Sequence, residues 1–174
     1  KLNFLTLSAG KEYVGIAHLH GDVSEDDVHK AFEAFTGVIE QMPPIISAVK
    51  RRLRKREIYA LEALEFDKRD VLFRAQVEAG TYIRKLVHDV GEHLGCGAHM
   101  GDLRRTRAGS FDESTLTTLH DLRDAITYWK ETGDEAPLRS MLQPPEKAVE
   151  HVARVAIDRV AAKAVCHGAY LAIP

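Results

Sequence analysis

AGTYIRKLVHDVGEHLGCGAHMGDLRRTR, residues Ala79 to Arg107, is the stretch whose reading decides the fold. An extended segment runs into Gly80, and helical spacing starts directly after it. Ile83, Leu86, Val87, Val90 and Leu94 fall at i, i+3, i+4, i+7 and i+11, the single apolar stripe of a helix that buries one face. Gly95 supplies the stop, a glycine-rich loop follows, and an arginine-dense strand closes the segment. The unit therefore reads as strand, helix, loop and strand.

Working upstream, Val71, Phe73, Ala75, Val77 and Ala79 alternate with Leu72, Arg74, Gln76 and Glu78. That period of two predicts a strand with one apolar and one mostly polar face. The charged turn DKRD (67–70) joins it to a second strand over Glu57–Phe66, although EIYALEALE also suits a helix. Together they predict an antiparallel hairpin feeding Gly80. Lys11 to His20 predicts another strand, with Tyr13, Gly15, Ala17 and Leu19 on one face and Val14, Ile16, His18 and His20 on the other. Between these lies a helix: Ser24 is its N-cap with Asp27 three residues on, Val28, Phe32 and Phe35 share a face, and Gly37 marks the stop. Then comes QMPPIISAVKRRLRKR, where Pro43-Pro44 enforces an extended backbone.

Downstream, Thr118 and Asp121 form a capping-box pattern ahead of a helix with Leu119, Leu122, Ile126 and Trp129 on one side and Gly133 at its end. Short pieces broken by Pro137, Pro144 and Pro145 lead to Ile157 and a small helix capped by Asp158 and stopped by Gly168. The expected fold is mixed α/β (α+β), a largely antiparallel sheet flanked by helices.

At 174 residues the chain can bury one sizeable core. It has no apolar run long enough to span a bilayer and its start lacks a signal-peptide pattern, so no membrane association is expected. Cys96 and Cys166 are too few for a disulfide framework, which favours a reducing compartment. The net charge of −2 hides a strong asymmetry. Six of the seven residues from Lys50 to Arg56 are basic, so the rest of the chain carries −8. A concentrated cationic patch on an acidic body is a localised anion-binding surface.

Lys50, Arg51, Arg52, Arg54, Lys55 and Arg56, with Arg104, Arg105 and Arg107 downstream, make two basic stretches able to follow a phosphate backbone. The bland alternative is a solvated charge run. Arg84, in the first turn of its helix, can fork onto a carboxylate, or it can be a solvated residue working against the helix dipole. Tyr13 and Tyr82 can stack on a flipped base or sit in the core with satisfied hydroxyls. His93, Cys96 and His99 form H-x-x-C-x-x-H, a weak metal signal without a nearby fourth ligand. No phosphate-binding glycine loop, Ser-His-Asp spacing or dinucleotide fingerprint is present. Residue patterns thus reach a mixed α/β domain that contacts nucleic acid.

Three ordered blocks carry a resemblance. KEYVGIAHLHG resembles the K-x-Y strand of the TruB/dyskerin pseudouridine synthases, QMPPIISAVK their P-P-x-x-S-A-x-K segment, and AGTYIRKLVHDVGEHLGCGAHMGDLRRTRAG their most characteristic signature. RRLRKREIY, LHDLRDAITYWKE and the stretch from Pro144 resemble the archaeal and eukaryotic branch, the dyskerin-like enzymes of box H/ACA ribonucleoproteins. The resemblance implies that Tyr13 stacks on the flipped uracil and is a candidate for proton transfer, that Arg84 pairs with a catalytic aspartate, and that Tyr82 and Leu103 line the uracil pocket. It implies an RNA pseudouridine synthase (an isomerase) using no metal or organic cofactor, with guide RNA, target rRNA or tRNA and small H/ACA core proteins as partners, and no DNA. A stand-alone tRNA enzyme and a non-catalytic RNA-binding scaffold are the alternatives. Location would be cytoplasmic for an archaeal protein and nuclear or nucleolar for a eukaryotic one.

One departure stands out. The family's nucleophilic aspartate lies in a G-T-L-D-type loop before the K-x-Y strand, and KLNFLTLSAG contains no aspartate. The expectation is a fragment: residues 1–152 from the catalytic domain, and 153–174 opening a truncated PUA RNA-binding domain.

Overall fold

The structure, a computed structural model, describes residues 7–43 and 52–171. Lys50, Arg51 and the apolar run after Pro43-Pro44 lie outside the described residues. Among the described residues six strands form one antiparallel sheet: β1 (Lys11–Leu19), β2 (Gly37–Gln41), β3 (Arg54–Asp67), β4 (Asp70–Val77), β5 (Ala98–Ala108) and β6 (Phe111–Asp112), in the order β2-β3-β4-β1-β5-β6. Helices α1 (Glu25–Ala34) and α2 (Ile83–His93) contribute to one continuous core with it. Three further helices follow: α3 (Leu119–Thr132), α4 (Ala136–Met141) and α5 (Arg159–Cys166). No helix among the described residues is long and apolar enough to cross a membrane.

The core follows from the alternation read in β1 and β4. Ala17, Leu19, Val71, Phe73, Ala75 and Val77 are buried from the sheet, against Val28, Ala31 and Phe32 of α1 and Ile83, Leu86, Val87 and Val90 of α2. Each fully buried aliphatic or aromatic side chain contributes roughly 1.5–3 kcal/mol relative to exposure, so these two helix faces hold α1 and α2 against the sheet. Phe32 meets Phe73 edge-on, ring centroids 6.5 Å apart.

β3 is a strand rather than a helix, and its ambiguous pattern has a cause. Register shifts lie between Ile58 and Ala60 and between Ala63 and Glu65, each placing one extra β3 residue against β4. The skipped residues, Tyr59 and Leu64, are exposed, while Ile58 and Leu61 are buried. Bulges therefore produce a three-residue apolar spacing that imitates a helix. The strand also starts earlier than Glu57: Arg54, Lys55 and Arg56 are its first rung, paired with Gln41, Glu40 and Ile39 of β2, an edge strand the residue pattern did not reveal.

Local signals elsewhere match their elements. Ser24 accepts a hydrogen bond from the Asp27 amide at the start of α1, Thr118 and Asp121 make a complete capping box on α3, and Gly133 ends α3 in the left-handed region. The α3 stripe stays largely uncovered: Ala125 is its buried residue, and Leu119 and Trp129 are exposed.

Candidate functional site

The antiparallel order brings the start of β1, the start of β3 and the ends of β4 and β5 to one end of the sheet. Val77, last in β4, faces Lys11 on one side and Ile58 on the other, and Lys11 faces Ala108. The chain then turns through Gly80, at φ +84°, into α2, whose N-terminus opens at this same end. The predicted site residues that fall on described elements gather at this end or just inside it.

Tyr13 pairs across the sheet with Ala75 and Arg105, and the next residue on its face, Gly15, pairs with Leu103. The register shift between Glu12 and Tyr13 sets one extra β5 residue, Thr106, against β1 beside the tyrosine. The Arg105 guanidinium carbon lies 5.6 Å from the centre of the Tyr13 ring, within cation–π reach. Gly15 is there for close approach: a Cβ would stand 2.8 Å from Leu103 Cδ1, 2.9 Å from the Asp102 carbonyl oxygen and 3.0 Å from Phe73 Cζ. Tyr13 and Leu103 are both half-buried against the core, which fits flat apolar walls with one open side. Burial first, and then the charge of Arg105, push the Lys11 ammonium below its ordinary value.

Tyr82 and Arg84 come from the other side of the end, at the α2 N-terminus. Tyr82 is the extended N-cap residue, without a side-chain cap of its own. Buried Gln41 of β2 holds its main chain instead: the Tyr82 amide donates to Gln41 Oε1 at 2.9 Å, and Gln41 Nε2 donates to the Tyr82 carbonyl at 3.1 Å. Sequence reasoning missed Gln41, because one buried amide in a short edge strand leaves no periodic signal. Arg84 is exposed, and its guanidinium has no hydrogen bond or ion pair among the described residues. A cation in the first turn of a helix opposes the macrodipole, so the end of α2 does not favour Arg84.

The basic residues divide into two kinds. Arg52 and Lys55 are exposed, whereas Arg54 and Arg56 are half-buried with Nε atoms lacking a hydrogen-bond partner among the described residues. Arg56 lies 3.5 Å from Glu78 and packs on Gly80, where a Cβ would be 3.1 Å from its Nη2. On β5, Arg104 is paired with Glu113, and Arg107 lies 3.9 Å from Glu12. The histidine–cysteine motif does not converge. His93 meets Phe35 edge-on at 5.7 Å, His99 shares a 2.8 Å hydrogen bond with His20, and the Cys96 thiol donates to the Gly97 carbonyl. Among the described residues no group of three His, Cys, Asp or Glu is placed to hold a metal ion.

Known proteins resemble this chain in sequence and fold. The model of the TruB family pseudouridylate synthase N-terminal domain matches residues 6–83, and that of the tRNA pseudouridylate synthase B C-terminal domain matches residues 84–150. The probable tRNA pseudouridine synthase B of Methanopyrus kandleri is 55% identical over 168 residues, 97% of this chain and 50% of that protein. Its Pyrococcus furiosus counterpart is 58% identical over 169 residues, 97% and 50% of the two chains. This chain thus spans about half the length of the curated relatives it matches. Among solved structures, a chain of a Cbf5-Nop10-Gar1 complex is similar at TM-score 0.90 with 56% identity, over 97% of this chain and 51% of that one. A chain of an H/ACA ribonucleoprotein bound to a substrate RNA containing 2'-deoxyuridine is similar at TM-score 0.87 with 52% identity, over 98% and 51%. The tyrosine strand, the helix carrying Arg84 and the arginine strand all fall inside these matches, and the chain belongs to the TruB family of pseudouridine synthases.

Proposed function

We propose that this chain forms the base-pocket half of an RNA uridine-to-pseudouridine isomerase directed by box H/ACA guide RNA, with small H/ACA core proteins as further partners. The observation that carries the reading is Arg84: exposed, unpaired among the described residues, and set in a first turn where a cation is unfavourable unless an anion joins it. A carboxylate arriving there would accept two parallel charge-assisted hydrogen bonds and be held as a fixed nucleophile. In the family chemistry that carboxylate attacks the nucleoside, uracil detaches from ribose, turns and rejoins through C5. Base flipping is the entry step, because a stacked uracil hides the atoms exchanged. Tyr13 offers a ring for the flipped base, Tyr82 and Leu103 bound the pocket, and Arg105 keeps positive charge beside it.

On this reading the nucleophilic carboxylate comes from outside these 174 residues, since the stretch before Lys11 has no aspartate. We expect the 174-residue chain assayed alone to form no pseudouridine. Residues from about 153 are proposed to open a PUA domain. Exposed Arg52 and Lys55, with Arg54, Arg56, Arg104 and Arg105, would follow the RNA backbone, leaving sequence choice to guide pairing.

A second reading, a tRNA enzyme needing no guide, is favoured by the names of the Methanopyrus and Pyrococcus relatives. One assay separates them: pseudouridine formed by the full-length protein on a guided target and on bare tRNA. Product that requires the guide supports the first reading, and equal product on tRNA without guide supports the second.

A further inference from the structure

Gln41 does something that strand pairing does not require. It is the last residue of edge strand β2 and is only 2% exposed, a polar side chain among buried apolar ones. Its amide spends both its donor and its acceptor on the main chain of a residue 41 positions away, the N–H and C=O of Tyr82. The Tyr82 carbonyl also accepts the first helical bond of α2, from the Leu86 amide at 3.0 Å. Gln41 thus does from another element what the N3 side chain of a capping box does, satisfying the amide of the N-cap residue of a helix without a side-chain cap of its own. It holds Tyr82 extended, at φ −95° and ψ 100°, while Ile83 onward is helical. Arg56, on the strand paired to β2, packs on Gly80 just before, so the β2–β3 end grips the turn at two points.

From this geometry we propose that Gln41 is a positioning residue for the isomerisation, acting through the Tyr82 peptide to set both the Tyr82 side chain and Arg84. The proposal rests on the function proposed above. Loss of a main-chain anchor lets the first turn of α2 shift, and a displacement of about 1 Å in a reacting constellation costs up to roughly 100-fold in rate. The base wall and the arginine would move together, whereas RNA docking through other surfaces would not.

The test uses the full-length protein with guide and target RNA and two substitutions. Gln41→Met keeps the volume and removes both hydrogen bonds. Gln41→Glu is isosteric: its carboxylate accepts from the Tyr82 amide but repels the Tyr82 carbonyl, and on protonation it donates again. For Gln41→Met we expect kcat to fall about 10-fold with KM for RNA within about two-fold, and faster hydrogen exchange at the Tyr82 amide. For Gln41→Glu we expect activity relative to the unsubstituted protein to rise as pH falls. A merely structural glutamine would lower the amount of folded enzyme and leave kcat per folded molecule and this pH ratio unchanged. An active parent protein whose two variants keep its kcat and a flat pH ratio overturns the role of Gln41 alone. A parent protein that makes no pseudouridine overturns the functional reading and this inference with it.

Discussion

At the scale of single residues, the site depends on what is absent at Gly15. A methyl there meets a leucine, a backbone carbonyl and a phenyl ring at 3.0 Å or less, and the carbonyl cannot swing away. Gly15→Ala is expected to destabilise the fold by about 1–3 kcal/mol, the usual cost of overpacking, read by thermal or urea unfolding. A neutral outcome would mean β1 and β5 part easily at the pocket floor. The residue pattern put Gly15 on Tyr13's face but had no means of showing that Leu103 crosses it, since cross-strand register belongs to tertiary structure. Leu103 entered only through family resemblance. Lys11 offers a second check. It loses its proton earlier in the folded chain than unfolded, so its contribution to stability rises with pH between those two values. Arg105→Gln removes the second cause of that shift and is expected to move the Lys11 titration upward, followed by NMR at the lysine side chain. No movement would place Arg105 too far from Lys11 to matter.

At the scale of elements, most of the architecture was legible because helix and strand periods are local. The alternation in β4, the stripe of α2 and the caps at Ser24, Thr118 and Gly133 all mark their elements correctly. What escaped has physical causes. β2 is five residues long, starts at the glycine that ends the preceding helix (φ +100°), and exposes Val38, so no alternation signals it. β3 reads as a strand, and its pattern also suits a helix because its bulges reset the period. The capping box on α3 gives an element-level expectation: Thr118→Ala should cost that helix about 1 kcal/mol. With Ala125 as its buried residue, α3 should respond by local fraying, seen as faster hydrogen exchange over Leu119–Asp124, while the unfolding midpoint of the sheet stays in place. A drop in the global midpoint would show that α3 is coupled to the core. Gly91→Ala should behave oppositely, because a Cβ there would fall 2.1 Å from the Ala98 nitrogen and push α2 off β5. Its effect is expected in the global transition.

At the scale of the molecule, one end of an antiparallel sheet, with a helix N-terminus opening beside it, places Lys11 and Arg105 next to a half-buried tyrosine. Replacing Arg51, Arg52 and Arg54 with Ala is expected to weaken RNA binding and to flatten its salt dependence, the log–log slope falling by about one for each phosphate that is no longer neutralised. Unchanged binding and slope would leave that cluster merely solvated. The half-buried state of Arg54 and Arg56 was not legible in a charge run, which shows residue type but not which side chains a strand turns inward. Nor did spacing distinguish Arg84 from a solvated arginine; its lack of a partner among the described residues emerged only in three dimensions. Catalysis as proposed turns on that arginine, and the most direct measurement is single-turnover pseudouridine formation by full-length Arg84→Ala, on a guided target, beside matched RNA-binding and thermal unfolding curves. The expected result is a rate lower by about 100-fold or more, the scale of losing a charged group that acts on the reacting centre, with binding and unfolding unchanged. A rate within about two-fold of the parent protein would contradict it, leaving Arg84 as a solvated first-turn cation with no carboxylate to hold.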